Sequence, residues 1–231
     1  MIDSSDVRKL NLNQIRSVMW RGGEHTKQSM ALEIGLSSAT CNTLLNEMEE
    51  NCEVLSEKRQ LNGVGRSTSV FRINEQYESI LCVKVEINSD GHRELWIEVL
   101  SMLGNRLCHE KRAYKKLDAE TIIDRIIDFT VLYSNISIIL VGISSIVDNG
   151  VIRLSDIPEL ENVPLESMIK EKTNIPIYLA YDCQYRVYGA YKKYKYEKCT
   201  SGNSFCFVRK DIKRKKWIRR YDRIYSVWDE F

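Results

Sequence analysis

The sequence has little proline and histidine and no long apolar run. Of its 231 residues, three are proline and three are histidine. His25, His92 and His109 form no HExxH pair and no cluster with cysteine, so the sequence predicts no metal site. No apolar run approaches the ~20 residues of a membrane span, and the first residues do not resemble a secretory leader. We therefore expect neither a membrane protein nor a secreted one.

The cysteine pattern indicates a reducing compartment. The sequence has seven cysteines, an odd number, and no CxxC pair, so a disulfide framework is not expected. Hydrophobic residues make up 43% of the chain and charged residues 29%, as in ordinary globular proteins. These features favour a folded cytoplasmic protein.

The charge is unevenly distributed along the chain. Residues 186–231 contain 14 Lys and Arg against 5 Asp and Glu, a net charge of +9. Because the whole chain carries +2, the preceding residues sum to −7. The part from about residue 196 onward, where aromatic residues are interleaved with Lys and Arg, is either a nucleic-acid-binding patch or a solvated edge or poorly folded tail, and charge runs are more often the latter.

Residues 1–75 predict three helices followed by a β-hairpin. The first helix starts near Asn11 and ends at Gly22-Gly23, Thr26 caps the second, and Ser37 caps the third after a break at Gly35. The third helix is predicted to bury a stripe formed by Cys41, Leu44, Leu45 and Met48. The hairpin strands are predicted to contain Val54-Leu55 and Val70–Ile73, joined by a polar loop containing Asn62–Arg66.

This order of elements is typical of a winged helix-turn-helix that binds duplex DNA. The third helix can enter the ~12 Å major groove because its outer side is polar and its inner side is anchored. Ser37 and Ser38 are expected to reach phosphates, and Arg66 on the wing is expected to reach a minor groove or a phosphate. We place three further residues opposite Leu44 and Leu45 and expect them to reach base edges: Thr40, Asn42 and Thr43. The predicted DNA-binding residues are Thr26, Lys27, Ser37, Ser38, Thr40, Asn42, Thr43, Arg66 and Arg72.

The net charge of this part leaves other interpretations open. Residues 1–74 hold nine basic and nine acidic residues, and the third helix has no Lys or Arg. Attraction to phosphates must then come from flanking residues such as Lys27 and Arg72, and we expect a homodimer to strengthen a modest affinity. The alternatives are a three-helix cap without a partner and a module that pairs proteins.

Residues 76–195 predict an α/β domain. Two turns at Gly91 and Gly104 join three strands into an antiparallel meander, and Asp118 caps a helix after it. The order meander, helix, strand, helix, strand is typical of a ribonuclease-H-like or actin-like domain. The predicted strands and the second helix are Ile80–Ile87, Glu94–Leu100, Arg106–Ala113, Ile136–Ile143, Leu165–Lys172 and Ile177–Tyr181. Residues 196–231 form the basic aromatic segment.

Six short motifs in one order resemble the ROK (repressor, open reading frame, kinase) family, of the xylose-repressor type. They are Asn13–Arg16, Gly35–Thr40, Gly63–Arg66, Phe71–Asn74, Val141–Ile152 and Ile175–Asp182. The resemblance covers residues ~10–190. It implies a winged-helix operator-binding domain followed by the first lobe of an actin-like, sugar-kinase-type domain, acting as a repressor of sugar-metabolism genes. It also implies that Asp182 contacts a sugar or sugar-phosphate effector.

The sequence departs from the kinases of this family. Those enzymes carry an Asp and a Gly-Gly-Thr loop after their first strand, where backbone N–H groups hold the ATP phosphates. Glu86–Asp90 has no paired glycines, so no nucleotide cofactor is expected. The family's Glu-x-Gly-His and cysteine motifs are missing as well, so the sensor is expected to be truncated and its sugar affinity weak or lost. The expectation is a regulator without enzyme activity, and the alternative is a ROK sugar kinase or its inactive relative.

Overall fold

The computed structural model describes residues 4–60 and 67–185. It consists of two compact units, Met1–Tyr77 and Glu78–Phe231. The predicted basic segment, residues 196–231, lies outside the described residues. Within the described ranges, no helix combines the length and the apolar character needed to cross a membrane.

The first unit contains three helices and a small antiparallel sheet. The sheet has the strand order β1-β3-β2. The elements are α1 (Ser4–Met19), β1 (His25–Thr26), α2 (Lys27–Ile34), α3 (Ser38–Glu50), β2 (Val54–Arg59) and β3 (Thr68–Ile73). Helix α1 begins before the predicted Asn11, because nothing from Ser4 onward breaks a helix and Asp6 favours the first turn.

Local side-chain chemistry sets the ends of α2 and α3. Thr26 caps α2 in a capping box with Ser29, and Gly35 ends that helix in the left-handed conformation at φ 71°. Ser37 then caps α3 by accepting a hydrogen bond from the Thr40 N–H. These three predicted boundaries are confirmed. The core of the unit contains Ile15, Met19, Met30, Leu45, Met48 and Phe71, each at most 1% exposed.

The strand β1 was not expected. The sequence predicts only a helix cap at Thr26, but His25 and Thr26 pair antiparallel with Phe71 and Val70. A two-residue strand has too little sequence to show the alternation that identifies a strand. It forms only because β3 presents an open edge.

The second unit is built on a mixed five-stranded sheet with the order β10-β7-β4-β5-β6. Strands β4 to β6 form the predicted antiparallel meander, and β4, β7 and β10 are parallel neighbours. The elements are β4 (Ser79–Ile87), β5 (Arg93–Ser101), β6 (Arg106–Tyr114), α4 (Ala119–Leu132), β7 (Ile136–Ile143), β8 (Ser145–Asp148), β9 (Val151–Ser155), a 3₁₀ turn (Pro158–Leu160), α5 (Leu165–Lys172) and β10 (Ile177–Tyr181).

The core of the second unit lies where α4 and α5 pack on the sheet. Alternate residues of the strands, such as Leu81, Val83 and Val85 on β4, face this core together with Ile122 and Ile169 of the helices. The hairpin β8–β9 was not predicted as a separate element. Its turn consists of Asn149 and Gly150, both at positive φ. These residues belong to the motif Val141–Ile152, for which no hairpin was predicted.

Candidate functional site

Helix α3 has one buried side and one exposed side. Cys41, Leu44, Leu45 and Met48 are at most 3% exposed, which confirms the predicted stripe. Ser38, Ala39 and Thr43 are exposed. Small side chains therefore cover the outer side of the N-terminal half of α3. Burial also raises the pKa of the Cys41 thiol, as expected for an unreactive core cysteine.

Thr40 lies on the same side of α3 as the buried Leu44 and not on the predicted opposite side. It lies one helical turn before Leu44, on the same side, because residues four apart in a helix are neighbours. It is half-buried, and its hydroxyl oxygen lies 2.8 Å from the Ser37 hydroxyl oxygen. The expectation that Thr40 lies opposite Leu44 and Leu45 is thus wrong.

The other hydroxyl groups of this surface also make local hydrogen bonds. The Ser37 oxygen accepts from the Thr40 backbone N–H at 3.0 Å. The Thr43 hydroxyl donates to the Ala39 carbonyl at 3.2 Å, so its oxygen lone pairs still point outward as acceptors. Thr26 accepts from the Ser29 N–H at 3.0 Å. Ser37 and Thr26 thus hold the ends of the two helices.

Lys27 connects α2, α3 and the sheet. Its ammonium group donates to Oδ1 of Asn42 on α3. The same nitrogen lies 5.5 Å from the centre of the Phe71 ring on β3, within cation–π range. The structure therefore brings Lys27 and Asn42 together. The sequence contained no signal for this contact, because the two residues are separated by a helix and a turn.

Arg72 lies on the other side of the small sheet. Phe71 and Ile73 are buried, so strand alternation points Arg72 to the opposite face of β3. There it lines a groove of about 310 Å³ together with Leu55, Glu57 and Arg59, among others. The structure does not bring Arg72 to the exposed side of α3. Arg66, the predicted wing residue, lies outside the described residues.

An ion pair joins α1 to the connection between α3 and β2. Arg16 donates to both carboxylate oxygens of Glu53, at 2.5 and 2.8 Å, and the Glu53 side chain is only 4% exposed. Arg16 belongs to one of the six motifs, and its role here is to hold the unit together. The sequence alone did not indicate its partner.

Asp182 lies at the edge of the sheet where parallel strands end. It follows Tyr181, which pairs with Ile143 of β7, and Ile143 in turn pairs with Val85 of β4. This is the edge at which open α/β sheets commonly bind ligands. Asp182 is 5% exposed, and its Oδ1 accepts from the Cys183 N–H at 2.8 Å.

The turn after β4 is closed by Asn88. Its side-chain Oδ1 accepts from the backbone N–H groups of Asp90 and His92, at 3.0 and 2.9 Å. Its amide donates to Glu94, and the Gly91 N–H donates to the Asn88 carbonyl at 3.0 Å. The amides that a phosphate-binding loop would present to a nucleotide are therefore used within the turn. In residues 4–60 and 67–185, no group of three or more His, Cys, Asp or Glu is arranged to hold a metal.

Comparison with known proteins identifies the fold. No protein-family model matches the chain, and no curated protein sequence matches it. A crystal structure of a ROK family transcriptional regulator, a homologue of the Escherichia coli MLC protein, superposes with a TM-score of 0.58 at 15% identity. The chain has a ROK fold.

The ROK fold match extends over most of this chain but not over most of the regulator. It covers 79% of this chain and 48% of the regulator, so the chain spans about half that protein's length. A ROK family glucokinase from Streptomyces griseus, solved with glucose and AMPPNP, is 18% identical with a TM-score of 0.41 and covers 49% of this chain and 36% of that one. The resemblance to ROK proteins expected from the motifs is confirmed at the level of the fold.

Proposed function

We propose that the protein is a DNA-binding transcriptional regulator whose first unit is a winged helix-turn-helix. The observation that carries the proposal is the exposed N-terminal half of α3, where Ser38, Ala39 and Thr43 form a small, uncharged surface. Such a surface fits into a major groove without steric conflict. The buried stripe behind it packs the helix against the rest of the unit, and the Arg16–Glu53 pair holds the segment that follows the helix to α1.

The acidic residues of α3 are placed at its far end. Glu47 pairs with Arg8, and the Glu49 carboxylate accepts from the Ser56 hydroxyl at 2.5 Å. The N-terminal half of the helix contains no acidic residue. Because a helix N-terminus carries partial positive charge, this end is the one suited to approach phosphates. Thr26, Ser37 and Ser38 are at or near helix N-termini and are proposed as the phosphate-facing residues.

The regulator proposal includes a dimer and an effector. A unit with balanced charge gains little from counterion release, so two copies on a two-fold operator would supply the missing affinity. On the six motifs that resemble the ROK family, we propose repression of sugar-metabolism genes, with Asp182 facing a sugar or sugar phosphate whose affinity is weak or lost. Arg72 belongs to this proposal only as a distant contributor, because it lies on the other sheet face.

The alternative of a sugar kinase is weakened by the turn after β4. Asn88 accepts from two backbone N–H groups that an ATP site would need for phosphates. We therefore propose a protein without kinase activity. An assay for sugar-dependent ATP hydrolysis with common hexoses is expected to give no turnover. Turnover that disappears in Asp182→Asn would favour the kinase.

The Ser38→Glu variant tests the DNA-binding proposal. A carboxylate at the first residue of α3 favours the helix dipole, so folding is preserved, but it repels phosphates. Fluorescence anisotropy with labelled random-sequence duplexes at low salt is expected to show a loss of affinity of about tenfold or more. Ser134→Glu, an exposed serine of the second unit, is the matched control.

Two results would contradict this proposal. The first is the absence of duplex binding by the unaltered protein even at low salt. The second is an equal effect of Ser38→Glu and Ser134→Glu, because a specific surface on α3 must be more sensitive than a remote site. A salt dependence that falls in Ser38→Glu would further support contact at the helix N-terminus.

A further inference from the structure

The contact between Lys27 and Asn42 fixes the orientation of the Asn42 amide. A lysine ammonium group has three donors and no acceptor, so it can pair only with the oxygen of the amide. The ammonium group donates to Oδ1 of Asn42. The Nδ2 group, with its two donor hydrogens, is therefore the end of the amide that is left for a partner.

The Lys27 side chain is itself held in place. Lys27 is the first residue of α2, directly after the Thr26 cap, whose capping box fixes the start of the helix. Its ammonium group also lies 5.5 Å from the centre of the Phe71 ring, and Phe71 is 1% exposed. The fixed start of α2 and the buried Phe71 ring together limit the positions available to the ammonium group.

The pair consequently presents hydrogen-bond donors at the surface of α3. Asparagine usually reads adenine with both ends of its amide, donating to N7 and accepting from the N6 amino group. Lys27 takes one of the two lone pairs of Oδ1, and its positive charge beside that oxygen disfavours the approach of the adenine N6 amino group, which is also a donor. The major-groove edge of guanine has only acceptors, N7 and O6, and matches a donor-only pair.

We propose that Lys27 and Asn42 together determine base specificity, selecting guanine over adenine at one position of each half-site. This inference rests on the proposed DNA-binding function and adds the identity of a contacted base. Asn42 is half-buried in the second turn of α3 and is followed by the exposed Thr43, so it lies at the margin of the surface proposed to enter the groove. Lys27 acts as a positioning residue for the amide as well as a donor.

Selection from a library of duplexes with a randomised core tests this inference. The unaltered full chain is expected to enrich guanine over adenine about tenfold at one position per half-site. Lys27→Met keeps an unbranched stem over Phe71 but removes the donors and frees Oδ1, so the same position should change to adenine. Asn42→Ala should lose the preference at that position while the other positions keep theirs.

The outcomes separate this inference from the function on which it rests. If the unaltered protein enriches no sequence, the DNA-reading proposal and this inference both fail. If sequences are enriched but Lys27→Met keeps guanine and only weakens binding uniformly, Lys27 is a phosphate contact and the inference alone is overturned. Lys27→Arg, which keeps donors at this position, is expected to retain guanine, and circular dichroism melting of each variant verifies that it is folded.

Discussion

In each unit a short polar side chain accepts hydrogen bonds from nearby backbone N–H groups, but the consequences differ. At the start of α3, Ser37 accepts from a backbone N–H three residues later. At the turn after β4, Asn88 accepts from two N–H groups, those of Asp90 and His92. In the helix this hydrogen bond leaves the outer surface open, with Ser38 and Thr43 exposed. In the turn, the hydrogen bonds occupy two N–H groups of the kind that a phosphate-binding loop offers to a nucleotide.

The difference shows that the same local chemistry can leave one surface exposed and can occupy the N–H groups of another. A helix cap satisfies one of four unpaired N–H groups, and the remaining ones still point along the helix axis. A tight turn between strands has few N–H groups, and Asn88 takes two of them. For this reason we propose a binding function for α3 and no nucleotide binding at the turn after β4.

The largest expected effect on stability comes from removing the Arg16–Glu53 ion pair of the first unit. Glu53→Ala leaves the guanidinium of Arg16 half-buried without its carboxylate partner, which should lower the free energy of unfolding of this unit by about 3 kcal/mol. Amide hydrogen exchange measures the two units separately. Protection should fall in residues 4–60 and stay unchanged in β4 to β7.

The matched control is Glu24→Ala. Glu24 binds Arg59 at 2.7 Å, but both side chains are more than 40% exposed, so solvent screens the pair and its loss should change stability far less than Glu53→Ala. Equal effects of the two variants, or loss of protection in the second unit after Glu53→Ala, would show that the anchor is not specific to the first unit.

A smaller effect is expected at the turn after β4. Asn88→Ala removes two accepted hydrogen bonds and one donated to Glu94, which should cost the second unit about 1–2 kcal/mol. Urea unfolding measures this cost. Calorimetry with ATP should still detect no binding, because the turn lacks paired glycines. ATP binding by Asn88→Ala would mean that the side chain alone closes a functional loop.

The smallest expected effects come from removing one neutral and one charged helix cap, Ser37 and Asp118. Ser37→Ala and Asp118→Ala should each cost about 1 kcal/mol at neutral pH. Hydrogen bonds from the Thr121 hydroxyl and backbone lower the pKa of Asp118, so the cost of its loss is full above the unfolded value of about 4 and declines as pH falls through the lower pKa of the folded state. The cost of Ser37→Ala should not change with pH. Thermal unfolding at neutral pH and near pH 3 distinguishes the two, and equal pH dependence would contradict the assignment.

Elements with a strong local signal were predictable, and those that depend on a neighbour were not. The caps Thr26, Ser37 and Asp118 and the strand Ile136–Ile143 are in the structure as predicted. The strand His25–Thr26 and the hairpin β8–β9 were missed, because short strands owe their conformation to their partners. At the candidate site, the side of Thr40 was misjudged, although the i to i+4 spacing to Leu44 was available to place it correctly.

The sequence by itself determined where α2 and α3 begin, where α2 ends and which side of α3 is buried, because caps and apolar spacing act over three or four residues. Only the tertiary structure decided that Lys27 holds Asn42, that Arg72 lies on the opposite sheet face and that Arg16 holds Glu53. Each of these depends on side chains brought together from separate elements by the packing of the core, and no local pattern encodes such distances.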